Sequence, residues 1–248
     1  MEITDLYAIF RKYPSVTTDS RMCSKDSIFF ALRGERFNGN LFADKALEAG
    51  CAYAVVDERP ESEPFNERII LVDNVLATLQ KLANYHRRKL KIPIIGITGT
   101  NGKTTTKELI AIALSREFKV AYTQGNFNNH IGVPLTLLSM NRSHEIGVVE
   151  MGANHPGDIR ELCEIAEPNY GLITNVGKAH LEGFGTFENV IKAKGELYDF
   201  LRGHEGKVFV NKDNQTLYEL SEGMDRILYG KNDPSLFASG TIANATPF

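Results

Sequence analysis

The chain has 248 residues, 42% of them hydrophobic and 24% charged, with a formal net charge of −3. That is enough chain for one large or two small cored domains, and the faint negative balance excludes a partner drawn by charge alone, whether nucleic acid or an anionic membrane surface. No apolar run is long enough to span a bilayer, the first residues lack a signal-peptide pattern, and Cys23, Cys51 and Cys163 sit among apolar neighbours, as small buried hydrophobes of a reducing compartment do; a cytoplasmic monomer without membrane insertion is expected.

In chain order, Leu6, Ile9 and Phe10 stand at helical spacing and predict a short first helix. Residues 28–32 form a β-type run, 33–40 are turn-rich, and 41–49 read as a helix stopped by Gly50. Short apolar strands are expected at 52–56 and 69–72. A helix over 75–90 places Leu76, Leu79, Leu82, Ala83 and His86 on one face and ends in Arg87, Arg88 and Lys89, cations that suit a helix C-terminus. From Pro93 strands and helices alternate: strands at 94–98, 119–123, 146–151, 171–175 and 207–211, helices at 104–114, 159–166 and 187–201. Alternation of this kind predicts a mainly parallel sheet covered on both faces, with ligands at the carboxyl ends of its strands. The expected class is α/β, with a small first domain over 1–90 and a phosphate-loop domain over 91–248. Residues 235–248 are polar and rich in small side chains. They suggest no closing strand or helix, so the second domain reads as incomplete and the chain as part of a longer one.

The stretch from Gly96 to Thr105 carries the chemistry. Gly99, Thr100, Asn101, Gly102, Lys103, Thr104 and Thr105 lie between a buried strand and a helix, the context a phosphate-binding loop needs. Glycines let backbone N–H groups turn toward phosphate oxygens, and the helix N-terminus adds its dipole. Lys103 is placed to reach the β- and γ-phosphates, and the Thr104 hydroxyl to bind Mg²⁺. The usual pattern has its first glycine where this chain has Ile97, and Gly96 lies one residue further out.

This loop resembles that of the Mur ligases, which build the peptide of bacterial peptidoglycan. Further stretches resemble the family in the same order. These are Thr18-Asp19-Ser20-Arg21, Gly125-Asn126-Phe127-Asn128-Asn129-His130-Ile131-Gly132-Val133-Pro134, Glu150-Met151-Gly152-Ala153, and Asn175 through Gly185 with His180 inside it. Together they point to the branch that joins D-alanyl-D-alanine to UDP-N-acetylmuramoyl-tripeptide. The resemblance implies ATP and Mg²⁺ as cofactors. It implies that ATP phosphorylates the terminal carboxylate of the UDP-linked tripeptide, and that the dipeptide amine attacks the acyl phosphate. It gives Glu150 and His180 as metal ligands beside Thr104. Lys194, in Ala193-Lys194-Gly195-Glu196, is the lysine the family carbamylates to hold a second Mg²⁺, with Lys192 the competing match. Ser20 and Arg21 are candidates for the UDP group, and Asn128, Asn129 and His130 for the substrate near the reacting carboxylate. The family has three domains, so a chain lacking the third is expected to be inactive alone.

Other readings are a sister ligase adding a different residue, a non-catalytic UDP-sugar-nucleotide binding module, and a phosphate-loop kinase or GTPase. The Glu150-Met151-Gly152-Ala153 segment argues against the ligase that completes the tripeptide, and the intact lysines, acid and histidine against a silent module. The one approach to a guanine-reading motif, Asn211-Lys212-Asp213, has its acid one position early.

Overall fold

The computed structural model describes residues 1–35, 37–59, 66–177 and 184–240. The chain opens with α1 (Ile3–Lys12), which buries Leu6 and Phe10, and β1 (Ser15–Thr17). The apolar run becomes β2 (Ser27–Phe30), buried at all its positions. The turn-rich stretch is a small antiparallel hairpin, β3 (Arg33–Gly34) and β4 (Phe37–Asn38). A 3-10 turn follows and leads into α2 (Ala43–Glu48), with Gly50 at φ +112° beyond it. Then come β5 (Tyr53–Val56), β6 (Ile69–Leu71) and α3 (Val75–Leu90). The Asn74 side chain caps α3 by accepting from the Ala77 N–H at 2.8 Å, and Lys91 ends it at φ +58°. Strands β1, β2, β5 and β6 form a parallel four-stranded sheet in the order β1-β2-β5-β6.

The second sheet begins at β7 (Ile94–Thr98), followed by α4 (Lys103–Leu114), β8 (Val120–Tyr122), α5 (Gly132–Leu138), β9 (Ile146–Glu150) and α6 (Asp158–Ala166). It continues through β10 (Tyr170–Ile173), α7 (Phe187–Gly203), β11 (Lys207–Asn211), α8 (Gln215–Leu220), β12 (Asp225–Gly230) and β13 (Ala238–Ser239). Its seven strands run parallel in the order β13-β12-β11-β10-β7-β9-β8.

Three features depart from the sequence expectation. The tail does supply a strand: β13 (Ala238–Ser239) pairs in parallel with β12 and closes that edge of the sheet, and β12 (Asp225–Gly230), half-buried along most of its length, is a further strand not expected from the sequence. Helix α5 forms inside the Asn-rich segment because Gly132 and Pro134 fall in its first turn, where proline is tolerated. The two faces of the large sheet are also covered unequally. The right-handed crossover rule sends α4, which steps from β7 outward to β8, to one face and the returning helices to the other. Accordingly α4 packs on β7, β8 and β9, while α6 packs against both α5 and α7 on the opposite side. Over α4's face the core is a small group, Ile97, Val148 and Leu172, edged by half-buried Ile95 and Phe209.

Helix α3 binds the two sheets together. It touches α1 and β2 on one side and α5 and α6 on the other, and one apolar cluster runs from Leu6 through Leu79 and Leu82 to Val149 and Val210. Arg87 completes the joint. Its Nε donates to the Ala166 carbonyl at 2.9 Å and its Nη2 to the Glu167 carbonyl at 2.8 Å and Asn169 Oδ1 at 2.9 Å, capping the C-terminus of α6. The Arg87→Ala variant strips these buried acceptors and is expected to cost about 2–3 kcal/mol in urea unfolding. Arg88→Ala, which breaks only a surface pair with Glu167, is expected to cost less than about 1 kcal/mol. Equal losses from the two would contradict a buried joint at Arg87.

Candidate phosphate and metal site

The connections leaving β7 and β9, neighbours in the sheet, go to opposite faces, which opens a crevice at their carboxyl ends. The glycine-rich loop leaves β7 there. Gly99 takes φ +144°, and a Cβ on it would lie 2.1 Å from Thr174 Oγ1, so only glycine fits. Gly102, at φ +76°, is the N-cap of α4 and aims that helix's first N–H groups at the crevice. The segment after β10 braces the loop. The Thr100 N–H donates to the Asn175 carbonyl at 3.0 Å and the Asn101 N–H to Asn175 Oδ1 at 3.1 Å, while Thr174 Oγ1 donates to the Asn101 carbonyl at 2.7 Å. Lys103 Nζ donates to the carbonyls of Gly99 (2.8 Å) and Thr100 (3.2 Å). Burial pushes its pKa below the ordinary lysine value, with Glu150 pulling the other way.

Glu150, the last residue of β9, is 1% exposed. Its Oε1 accepts from Thr104 Oγ1 at 3.2 Å and from Asn128 Nδ2 at 2.9 Å, and its N–H donates to Thr123 Oγ1 at 3.0 Å. Its Oε2 is buried with no hydrogen-bond partner among the described residues. A hydroxyl beside a carboxylate with one unanswered oxygen is a hard-oxygen donor set and fits Mg²⁺. Among the described residues no group of three or more His, Cys, Asp or Glu comes together, so such a cation would rest on Glu150, Thr104 and oxygens brought by a ligand. His180 lies outside the described residues.

Lys194 sits on α7 at 3% exposure, whereas Lys192 is exposed. Lys194 Nζ reaches the Ala153 carbonyl at 3.4 Å, just past β9, and lies 5.5 Å from the Phe184 ring centre. Burial brings its pKa down to about 8. The Lys103 charge adds to that lowering, and Asp158 and Glu196 oppose it. Both lysines therefore belong to one electrostatic site. Glu196 anchors its floor: Oε1 accepts from the Gly157 N–H at 2.7 Å and Oε2 from the Arg160 N–H at 3.0 Å.

The substrate candidates divide by what their polar atoms already do. Asn128 holds Glu150. Asn129 Oδ1 accepts from the N–H groups of Ile131 (3.1 Å) and Gly132 (2.8 Å) and so braces the turn into α5. The His130 carbonyl accepts from Gln80 Nε2 at 3.1 Å, and its side chain is exposed. Ser20 opens a 3-10 turn capped by Asp19. Arg21 forks onto Asp19, with Nη2 2.7 Å from Oδ2, and holds that carboxyl down at about 2. A cleft of about 730 Å³ joins these two regions, with Thr18, Asp19 and Met22 on one wall and Asn126, Phe127 and Asn129 on the other. Sequence reasoning missed Thr123, Asn175, Glu196 and Lys107. Asn175 and Glu196 stood inside the family-like stretches without a role assigned, and Lys107 lies one helical turn after Lys103.

Residues 97–246 match the Mur ligase middle domain, and residues 12–87 match the Mur ligase family, catalytic domain. Among curated relatives, the UDP-N-acetylmuramoyl-tripeptide–D-alanyl-D-alanine ligase of Bacillus subtilis is 43% identical over 187 residues, covering 75% of this chain and 41% of the relative. The enzyme of the same name from Escherichia coli is 40% identical over 200 residues, covering 81% and 43%. The chain thus spans less than half the length of these relatives. Among solved structures, MurF from Acinetobacter baumannii superposes with a TM-score of 0.79 at 33% identity, covering 87% of this chain and 48% of that one. MurF from Thermotoga maritima, solved in complex with ADP, gives 0.79 at 33%, covering 87% and 50%.

The Lys194 amine gives a pH test. Its folded value of about 8 lies below the ordinary 10.5, so between those values the unfolded chain binds more protons and stability rises with pH. The Lys194→Met variant is expected to lose this rise in denaturant titrations between pH 8 and pH 10.5. The same slope in both proteins would put the amine in water.

Proposed function

The chain belongs to the Mur ligase family, and from that premise we propose that it is the first and central part of an ATP-dependent ligase that joins D-alanyl-D-alanine to UDP-N-acetylmuramoyl-tripeptide in the cytoplasm. The observation that carries this reading is the convergence of the phosphate loop, the half-answered Glu150 carboxylate and the buried Lys194 amine on one crevice. A silent binding module has no use for a lysine buried at that edge. The relatives' names supply the two substrates, and three free cysteines accord with a reducing compartment. In this reading the two sheets correspond to a UDP-substrate domain ending near residue 90 and an ATP domain after it.

The chemistry sets a charge problem, because the tripeptide carboxylate must approach a γ-phosphate. Bound Mg²⁺, held by Thr104 and Glu150, would supply charge neutralisation on the phosphates. The chain's own groups do the remaining work. The N–H groups of Gly102 to Thr104 and the α4 dipole orient the phosphates, and Lys103 moves from its own loop carbonyls to phosphate oxygen. Lys194, with its pKa brought down to about 8 by burial, has near pH 8 a large share of the unprotonated amine that carbamate formation requires. The cleft walled by Thr18, Asp19 and Met22 on one side and Asn126, Phe127 and Asn129 on the other holds the UDP-linked substrate, with Ser20 and Arg21 next in sequence to the first wall and Asn128 and His130 to the second, and presents its carboxyl end to the crevice.

Titration calorimetry with Mg²⁺ and a non-hydrolysable ATP analogue tests the nucleotide half. Lys103→Ala is expected to weaken binding about ten- to a hundred-fold by removing a charge-assisted bond. Equal affinity in parent and variant would remove the loop from nucleotide binding. UDP-tripeptide titration tests the cleft, and no affinity there would sink the substrate assignment.

A further inference from the structure

Lys107 is a lysine with 0% exposure, one turn along α4 from Lys103. Its Nζ donates to the Thr123 carbonyl at 2.6 Å, lies 3.0 Å from Glu108 Oε1 and stands 5.6 Å from the Tyr122 ring centre. An apolar chain of the same length would fill the space at lower desolvation cost, so the donor itself has a use. Thr123 is the first residue past β8, beyond the strand's last register pair at Tyr122 and Val148. Its N–H still reaches the Val148 carbonyl at 3.0 Å, and its hydroxyl accepts the Glu150 N–H at 3.0 Å. From Thr123 the chain runs out to Asn128, which returns to Glu150 Oε1 at 2.9 Å and accepts the Gly152 N–H at 2.7 Å through its carbonyl.

We propose that Lys107 is a positioning residue: by clamping Thr123 it fixes Glu150 against Thr104, and so sets the spacing of the oxygens that take the nucleotide's divalent cation. The inference rests on the reading of Glu150 and Thr104 as the cation's ligands. Helix α4 carries Thr104 and β9 carries Glu150, and β8 is their shared neighbour. The Lys107–Thr123 bond therefore ties the helix to the strand end through a path that touches neither phosphate nor metal. Outer groups of this kind orient metal ligands and change metal affinity when removed.

The test uses the whole chain and three variants: Lys107→Met, Thr123→Val, which keeps the clamped carbonyl but removes the hydroxyl, and the double. Amide hydrogen exchange is measured without nucleotide, and ADP binding is measured across a Mg²⁺ series and with chelator. Each single variant is expected to speed exchange at Glu150 and across 124–131 while leaving 94–98 unchanged. Each is also expected to raise the Mg²⁺ concentration for half-maximal metal-dependent ADP binding about ten-fold or more, with ADP affinity in chelator unchanged. The double variant is expected to do no more than either single one, because both break one path. Unchanged Mg²⁺ dependence in both singles, additive losses, or equal weakening with and without metal overturns the proposal. If the parent takes up no ADP, the cation-ligand reading falls, and the exchange comparison alone decides whether Lys107 holds Glu150.

Discussion

A carboxylate taken out of water costs several kcal/mol unless hydrogen bonds or a cation answer it, and Glu150 is withdrawn almost completely at the end of β9. One of its oxygens is answered by Thr104 and Asn128 and the other by nothing among the described residues. The surroundings follow from that imbalance. Thr104 comes from the glycine-rich loop after β7, and Asn128 and the backbone tie from Thr123 both come from the segment after β8, so two separate connections must meet at one strand end. The braced loop, with Gly99 packed against Thr174, holds the first of these in place. Lys103 and Lys194 share the same low-dielectric pocket. Each is pushed toward its neutral form mainly by burial, and the Lys103 charge deepens the shift at Lys194.

The parts of the site legible in the sequence are those whose chemistry is contiguous. Gly99 to Thr105 states its purpose in seven residues, because a phosphate loop is built from consecutive N–H groups. Strands β7 and β11 and helix α3 could be read to their ends because apolar periodicity stops there, and at α3 cap residues mark both limits. Helix α5 was hidden by glycine and proline in its first turn, and β13 by an edge position that asks for little apolar surface. Lys107, Thr123 and Glu150 meet only because the sheet places β9 between β7 and β8, out of sequence order. No local pattern carries that information. The difference between Lys192 and Lys194 is likewise a matter of which side of α7 faces the core: Lys194 is buried there and Lys192 is exposed.

The uneven covering of the large sheet places the chemistry. With α4 on one face and the layer of α5, α6 and α7 on the other, the connections at β7 and β9 are opposed, and the crevice lies between them. On α4's face, where the apolar cluster is small, the Lys107 bond to the Thr123 carbonyl adds a polar tie between that helix and the end of β8.

The joint at α3 bears on how this kind of protein can be cut and recombined. The helix follows the first sheet in the chain, yet His86 places Nε2 2.8 Å from the Met140 carbonyl and Arg87 caps α6. Severing the chain after Leu90 would hand the first module a helix stripped of its buried partners and leave the second with an open apolar trough along α5 and α6. Grafting a foreign first module onto this second one therefore means importing an α3 that matches the trough, and the compatible unit of exchange is set by that helix's far side rather than by the linker.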